Sequence, residues 1–209
     1  MPPPPTLKIF EIFPSIQGEG LRQGEATIFV RVAGCDRRCS FCDTKYAWEG
    51  GWESTADEVV AAVKKIRRRF PARWVSLTGG EPFMQDLRPL VRLLHKEKFL
   101  VQVETNATRY YRLPADWITI SPKPNDYYVR SEFRRRAREV KLVVTQDLDL
   151  AVLREMRAAF PAGVPIILQP ESNFRWSQKR ALRLLREALA AGLDNVRVSA
   201  QLHKILRLR

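Results

Sequence analysis

Cysteine is scarce in this sequence: three residues in 209, all between positions 35 and 42. An odd, clustered set cannot build the disulfide framework of a small secreted domain. Histidine is scarcer still, with only His95 and His203, both far from the cysteines. No uninterrupted apolar run approaches the ~20 residues needed to cross a bilayer, so no membrane partner is expected. The start, Met1-Pro2-Pro3-Pro4-Pro5, lacks the apolar stretch of a signal peptide, and a cytoplasmic location is expected. No internal repeat is visible. What is present is an ordinary globular balance, 45% hydrophobic and 28% charged. A chain of this length buries a substantial core without staples. We expect a single domain over 1–209, with residues 1–6 a stiff proline-rich tail.

Negative charge is also in deficit. Thirty-six basic residues against 23 acidic ones give a formal charge of +13. The basic runs Arg67-Arg68-Arg69 and Arg134-Arg135-Arg136 fall in segments that read as helical and solvent-facing. No recognised nucleic-acid-binding module accompanies them, so a solvated basic surface is expected rather than a nucleic-acid partner.

Apolar, β-branched segments alternate with amphipathic ones. Strands are expected at Leu7–Phe13, Thr27–Ala33, Trp74–Thr78, Leu100–Glu104, Trp117–Ile120, Val140–Val144, Val164–Gln169 and Asn195–Val198. Helices are expected at Ser54–Phe70, Leu87–Lys98, Leu148–Phe160 and Ser177–Ala191. Thr55 and Glu58 form a capping box at the start of the first, and Gly192 ends the last. Nearly continuous apolar strands between helices argue for an α/β fold on a parallel sheet. A full eight-unit barrel takes ~250 residues, so a partial, open β/α barrel is expected. In such sheets chemistry gathers at the C-terminal ends of strands. Five loops there carry the unusual residues: the cysteine loop, Thr78-Gly79-Gly80-Glu81-Pro82, Glu104-Thr105-Asn106, Ser121-Pro122-Lys123 and Gln169-Pro170.

The cysteines Cys35, Cys39 and Cys42 are separated by three and then two residues. A structural zinc site takes four ligands, so these three would need a His or Asp to complete one. A 4Fe–4S cluster held by three thiolates instead leaves one iron open to a cofactor or substrate. Phe41, directly before the third cysteine, and the strand–loop context favour the cluster. Glycines in Thr78-Gly79-Gly80 let a backbone come close to a ligand.

The cysteine loop and the glycine loop resemble the radical S-adenosylmethionine superfamily. That resemblance implies a fold of the superfamily's partial-barrel type. It also implies S-adenosylmethionine on the open iron and reductive cleavage to a 5′-deoxyadenosyl radical. Further blocks narrow the likeness: Phe13-Pro14-Ser15-Ile16-Gln17-Gly18-Glu19-Gly20, Phe29-Val30-Arg31, Cys42-Asp43-Thr44, Glu104-Thr105-Asn106, Ser121-Pro122-Lys123-Pro124 and Gln201-Leu202-His203-Lys204. Together they resemble the 7-carboxy-7-deazaguanine synthase family over essentially the whole chain. This implies a lyase that converts 6-carboxy-5,6,7,8-tetrahydropterin to 7-carboxy-7-deazaguanine with loss of ammonia, in biosynthesis of 7-deazapurines such as queuosine. Mg2+, a homodimer, and a flavodoxin or ferredoxin as electron donor are implied as well.

By position, the resemblance assigns Cys35, Cys39 and Cys42 to the cluster and Thr44 to Mg2+, a hard ion that prefers oxygen. Phe41, Cys42, Asp43, Gly80, Glu104, Ser121, Pro122, Lys123 and Gln169 would surround the cofactor. Ile16, Gln17, Gly18 and Thr78 would contact the pterin, and Arg31 would pair with its carboxylate through a planar fork. No other catalytic side chain is implied. His203 reads as a packing or hydrogen-bonding residue. Ala107 stands where the pattern has glycine, suggesting a differently shaped turn. The basic end Leu206-Arg207-Leu208-Arg209 departs from the family at the edge of the substrate site. The nearest enzymatic rival is a glycyl-radical-enzyme activase, which shares the cysteine spacing. A rival of another class is a basic zinc-containing nucleic-acid-binding module.

Overall fold

Alternation in the first strand sets the architecture. In the computed structural model, which describes residues 5–208, β1 (Thr6–Ile16) turns one set of alternate residues inward over its whole length. It is longer than expected, and Thr6 already pairs with Thr55, so the proline tail ends at Pro5. Met1–Pro4 and Arg209 lie outside the described residues.

The chain forms two compact units. The first comprises residues up to Ile16, Glu25–Thr105 and Tyr111–Trp117. The second comprises Gln17–Gly24, Asn106–Tyr110 and the chain from Ile118 onward.

In the first unit β1 pairs antiparallel with β2 (Ala26–Val32) and with β3 (Trp52–Thr55). β4 (Trp74–Gly79) joins β2 in parallel, and β5 (Leu100–Thr105) joins β4 in parallel. The expectation of a parallel sheet is thus corrected to a mixed one. β3 was not expected, because Ser54 and Thr55 read as the start of a helix. The helix α1 (Ala56–Arg67) begins one residue later, and its capping box is complete: the Glu58 N–H donates to Thr55 Oγ1 at 3.3 Å, and the Thr55 N–H donates to Glu58 Oε2 at 2.7 Å. α2 is Arg88–Lys96. The first basic run closes α1, where Arg67 lies 4.1 Å over the Phe99 ring and only Arg68 and Arg69 are exposed.

In the second unit β6 (Trp117–Ile120, apart from its first residue), β7 (Glu139–Val144), β8 (Ile166–Pro170) and β9 (Val196–Val198) pair in parallel in that order. α3 (Leu150–Ala159) is capped by Asp149, whose Oδ1 accepts the Val152 N–H at 2.9 Å. α4 (Arg175–Ala190) ends as expected at Gly192. With φ at +71°, Gly192 lets the Leu193 N–H reach the Ala188 carbonyl at 2.9 Å and its own N–H reach Leu189 at 3.0 Å. A short α5 (Leu202–Ile205) follows, which sequence periodicity did not indicate. The run Arg134-Arg135-Arg136 is not helical; it forms turns after the 3-10 helix Ser131–Phe133. The cores are formed by fully buried strand residues such as Ile28, Val30, Leu77 and Val103 in one unit and Ile120, Val140, Leu142 and Leu168 in the other.

Candidate active site

Each strand has two faces, and the core residues occupy one of them. On β2 that leaves Thr27, Phe29 and Arg31 on the other. Register places Glu11 of β1 and Thr78 of β4 on either side of Arg31. Ser76 stands beside Gln102, so Thr78 and Glu104 each lie two residues further along the same face of β4 and β5. The first unit therefore carries a row Glu11–Arg31–Thr78–Glu104 across four strands. Three of its members sit at the C-terminal ends of β2, β4 and β5.

Arg31 is oriented within this row. Its Nε–H donates to Glu11 Oε1 at 2.6 Å, and the Tyr46 hydroxyl donates to the same oxygen at 3.3 Å. The rings of Phe13 and Tyr46 lie 5.8 and 5.9 Å from the guanidinium carbon. Burial pushes the Tyr46 phenol up; Arg31 pulls it back, and Glu11 adds to the rise. Pairing through Nε leaves the terminal nitrogens as the fork that a carboxylate takes two-pronged.

The cysteine loop leaves β2 beside this row. Cys35, Cys39 and Cys42 form no disulfide and are all half-buried. Arg38 takes φ +44°, and the Cys42 N–H closes a turn on the Cys39 carbonyl at 3.1 Å. Thr44 Oγ1 lies 3.4 Å from Cys42 Sγ. Phe41 is half-buried, whereas Asp43 is exposed. The donor set is soft and oxidisable, as iron–sulfur ligation requires. Among the described residues no three His, Cys, Asp or Glu side chains converge on one point, the arrangement a single ion needs. A 4Fe–4S cluster binds each thiolate to a separate iron, and three thiolates from one loop are the donor type it takes.

The glycine loop is packed onto the root of the cysteine loop. The Glu81 N–H donates to the Gly34 carbonyl at 2.7 Å, and the Gly80 N–H to the Val32 carbonyl at 3.1 Å. A Cβ on Gly80 would fall 1.7 Å from the Gly34 oxygen, so no side chain fits there. Gly79 has φ +137°, a conformation reserved for glycine. Glu81 is fully buried: its Oε1 accepts the Thr105 hydroxyl at 2.6 Å and the Phe83 N–H at 3.0 Å. It braces the loop rather than facing a ligand.

In the second unit the residues after β1 form a tight turn. The Gln17 carbonyl accepts the Gly24 N–H at 2.8 Å. The Gly18 carbonyl accepts both the Leu202 N–H at 2.9 Å and Gln23 Nε2 at 3.0 Å. The Gly18 carbonyl is thus fully engaged within the fold. A Cβ on Gly18 would collide with His203, whose ring packs there. Ile16, the last residue of β1, belongs to the first unit and is half-buried. Ser121 and Pro122 are buried after β6, and Lys123 Nζ donates to Ser121 Oγ at 2.8 Å. Gln169 on β8 is 1% exposed, and neither amide atom has a partner among the described residues. Such an orphan pair is costly unless a ligand fills it. The turn after Asn106 keeps a glycine-like shape despite Ala107, which takes φ +64°.

Sequence reading missed Glu11, Glu139, Lys141 and the roles of Glu19, Glu81 and Gln201. For Glu139 and Lys141 a signal existed, since they are polar at alternate positions of an otherwise apolar strand.

The chain is similar to known proteins along most of its length. The model of the radical SAM superfamily matches residues 29–203. The 7-carboxy-7-deazaguanine synthase of Escherichia coli strain K12 is 37% identical, covering 96% of this chain and 98% of that protein. That of Aquifex aeolicus strain VF5 is 35% identical, over 95% of this chain and 93% of the relative. The crystal structure of QueE from Escherichia coli superposes with a TM-score of 0.79 at 33% identity, covering 95% of both chains. The fold class is thus the α/β, incomplete β/α barrel of the radical SAM type.

Proposed function

The chain belongs to the radical SAM superfamily and, within it, to the 7-carboxy-7-deazaguanine synthases, and on that premise we propose how its residues divide the work. The reaction is conversion of 6-carboxy-5,6,7,8-tetrahydropterin to 7-carboxy-7-deazaguanine with loss of ammonia. A 4Fe–4S cluster carrying S-adenosylmethionine supplies one-electron cleavage of the cofactor when bound. Cys35, Cys39 and Cys42 hold it, with Phe41, Asp43 and Gly80 around the cofactor. Gly80 acts by letting the glycine loop close on the cysteine loop rather than by touching the cofactor with a side chain. Gln169 supplies an unpaired amide, and Ser121, Pro122, Lys123 and Glu104 complete the cofactor's surroundings. Arg31 takes the pterin carboxylate, Thr78 lies beside it, and Ile16, Gln17 and Gly18 receive the ring. Thr44 offers its hydroxyl oxygen to Mg2+.

One observation carries this reading: the register that sets Arg31, on the strand that opens the cysteine loop and held by Glu11, next to Thr78 of β4. The family match over residues 29–203, which runs through both compact units, supports a single catalytic domain. No helix among the described residues is long and apolar enough to cross a membrane. We read the enzyme as a cytoplasmic homodimer that takes electrons from a flavodoxin or ferredoxin. Its basic surface suits an acidic donor, and a turnover rate that falls as salt rises is the expected signature.

Anaerobically reconstituted, reduced protein given the carboxytetrahydropterin and S-adenosylmethionine should form the deazaguanine. An intact cluster with no such product would refute the assignment. Cys39→Ala should abolish cofactor cleavage, and retained turnover would count against the cluster.

A further inference from the structure

Two strand residues that the reaction does not call for are buried beside the turn that receives the pterin. Lys141 of β7 is 5% exposed, and its ammonium pairs with the Glu19 carboxylate. Two residues earlier on the same strand face, Glu139 is 1% exposed. It accepts the Leu21 N–H at 2.7 Å and the Thr119 hydroxyl at 2.6 Å. Gly20, at φ +70°, leaves no room for a Cβ against that carboxylate. Both acidic groups are thus spent on holding residues 19–21 in place. A buried ion pair is weak evidence for stability, and its best-attested use is to fix one arrangement among several.

What it fixes here is an amide. The second oxygen of Glu19 accepts from Gln201 Nε2 at 2.7 Å. A carboxylate in an ion pair only accepts, so it must face the NH2 end of Gln201. The amide oxygen is thereby turned the other way. That Oε1 is buried and has no hydrogen-bond partner among the described residues. The rest of Gln201 is anchored: its N–H donates to Asn173 Oδ1 and its carbonyl accepts from Asn173 Nδ2, both at 2.9 Å. The next residue, Leu202, bonds to the Gly18 carbonyl. The orphan acceptor therefore belongs to the same assembly as Gln17 and Gly18.

We infer that Gln201 is a further substrate-recognition residue, whose amide oxygen accepts an N–H from the heterocycle, and that Glu19 and Lys141 are positioning residues that set its polarity. This rests on the pterin reading above. The aminopyrimidinone ring of a pterin presents a lactam N–H and an exocyclic amine on one edge, and a buried, unpartnered acceptor selects for them. A site built to bond such a group rejects analogues lacking it far more strongly than an apolar pocket could.

The test is calorimetric binding under anaerobic conditions to protein loaded with cluster and S-adenosylmethionine. The probes are the unreactive 6-carboxypterin and its analogue with oxygen in place of the exocyclic amine. Wild type should prefer the amino compound by about tenfold or more, the scale of one well-placed buried hydrogen bond. Gln201→Leu should weaken binding of the amino compound and collapse the preference, with the cluster spectrum and cofactor affinity unchanged. The paired change Glu19→Gln with Lys141→Met removes both charges without stranding either. It frees the amide to turn and should lower the preference as well, even where Gln201→Leu folds poorly. A preference intact in both variants would overturn the inference and leave the pterin reading standing. Wild-type protein that binds neither compound would overturn both.

Discussion

Gly80→Ala is the sharpest perturbation that the geometry allows. The φ of Gly80 is not in the left-handed region, so the only objection to alanine is space. The new methyl would meet the Gly34 carbonyl oxygen at 1.7 Å, its carbon at 2.3 Å and the Cys35 nitrogen at 3.0 Å. All three are backbone atoms and none can rotate away. To reach an ordinary separation of about 3.5 Å, the glycine loop and the root of the cysteine loop must part by more than an ångström. Overpacking of this kind costs about 1–3 kcal/mol. The parting also breaks or stretches the bonds from Glu81 to Gly34 and from Gly80 to Val32, each contributing about 0.5–1.5 kcal/mol. The expected loss is about 2–6 kcal/mol in urea unfolding, a large share of the 5–15 kcal/mol that holds a typical domain together. Because Cys35 moves with Gly34, iron retention should fall, and a misplacement near 1 Å lowers cofactor cleavage by about a hundredfold. Gly163→Ala is the control: nothing lies within 4 Å of its Cβ, and stability should change by less than about 1 kcal/mol. A Gly80→Ala protein with wild-type midpoint, iron content and cleavage rate would refute the reasoning.

Glu11→Gln should raise KM for the pterin about tenfold with little change in kcat, since Arg31 loses its charged anchor but keeps its own charge; an unchanged KM would place Arg31 away from the substrate. Tyr111→Phe removes a hydroxyl that accepts the Leu87 N–H at 3.0 Å and donates to the Gln85 carbonyl at 2.6 Å, a loss of about 1–2 kcal/mol by thermal unfolding at neutral pH. Burial pushes that phenol up to about 12 from 10.0. The neutral form is the one the fold favours, so its stabilisation is complete below pH 10 and is lost as pH rises toward 12. The variant should flatten unfolding midpoints across that window, and parallel curves would contradict this. Asp149→Ala should cost about 1 kcal/mol through the lost cap of α3, read as a lowered urea midpoint.

Local patterns carried a great deal. The cysteine spacing, the glycine loop and the polar ends of apolar strands were all legible, because each depends on residue types a few positions apart. So were the capping box of α1 and the glycine end of α4, whose hydrogen bonds span fewer than six residues. β3 was missed because four residues beside a strong helix cap give no periodicity of their own. The turn at Ala107 was misread because backbone conformation there is imposed by the surroundings rather than by the residue. Arg134-Arg135-Arg136 looked helical because charge density says nothing about where a helix stops.

The sequence by itself pointed to a thiolate-held centre, since three thiols fall within eight residues, and the likeness of the surrounding blocks to a known family implied its chemistry. Tertiary structure decided which polar residues are spent holding one another in place. Glu81 reads as part of a ligand loop and is a brace for Thr105. Arg31 reads as a partner for the substrate carboxylate, and its Nε is held by Glu11. Glu19 and Lys141 stand 122 residues apart, yet their pairing orients Gln201. The physical reason is that a buried donor or acceptor takes its role from whatever the fold brings within 3 Å of it, and that partner is seldom a neighbour in the chain.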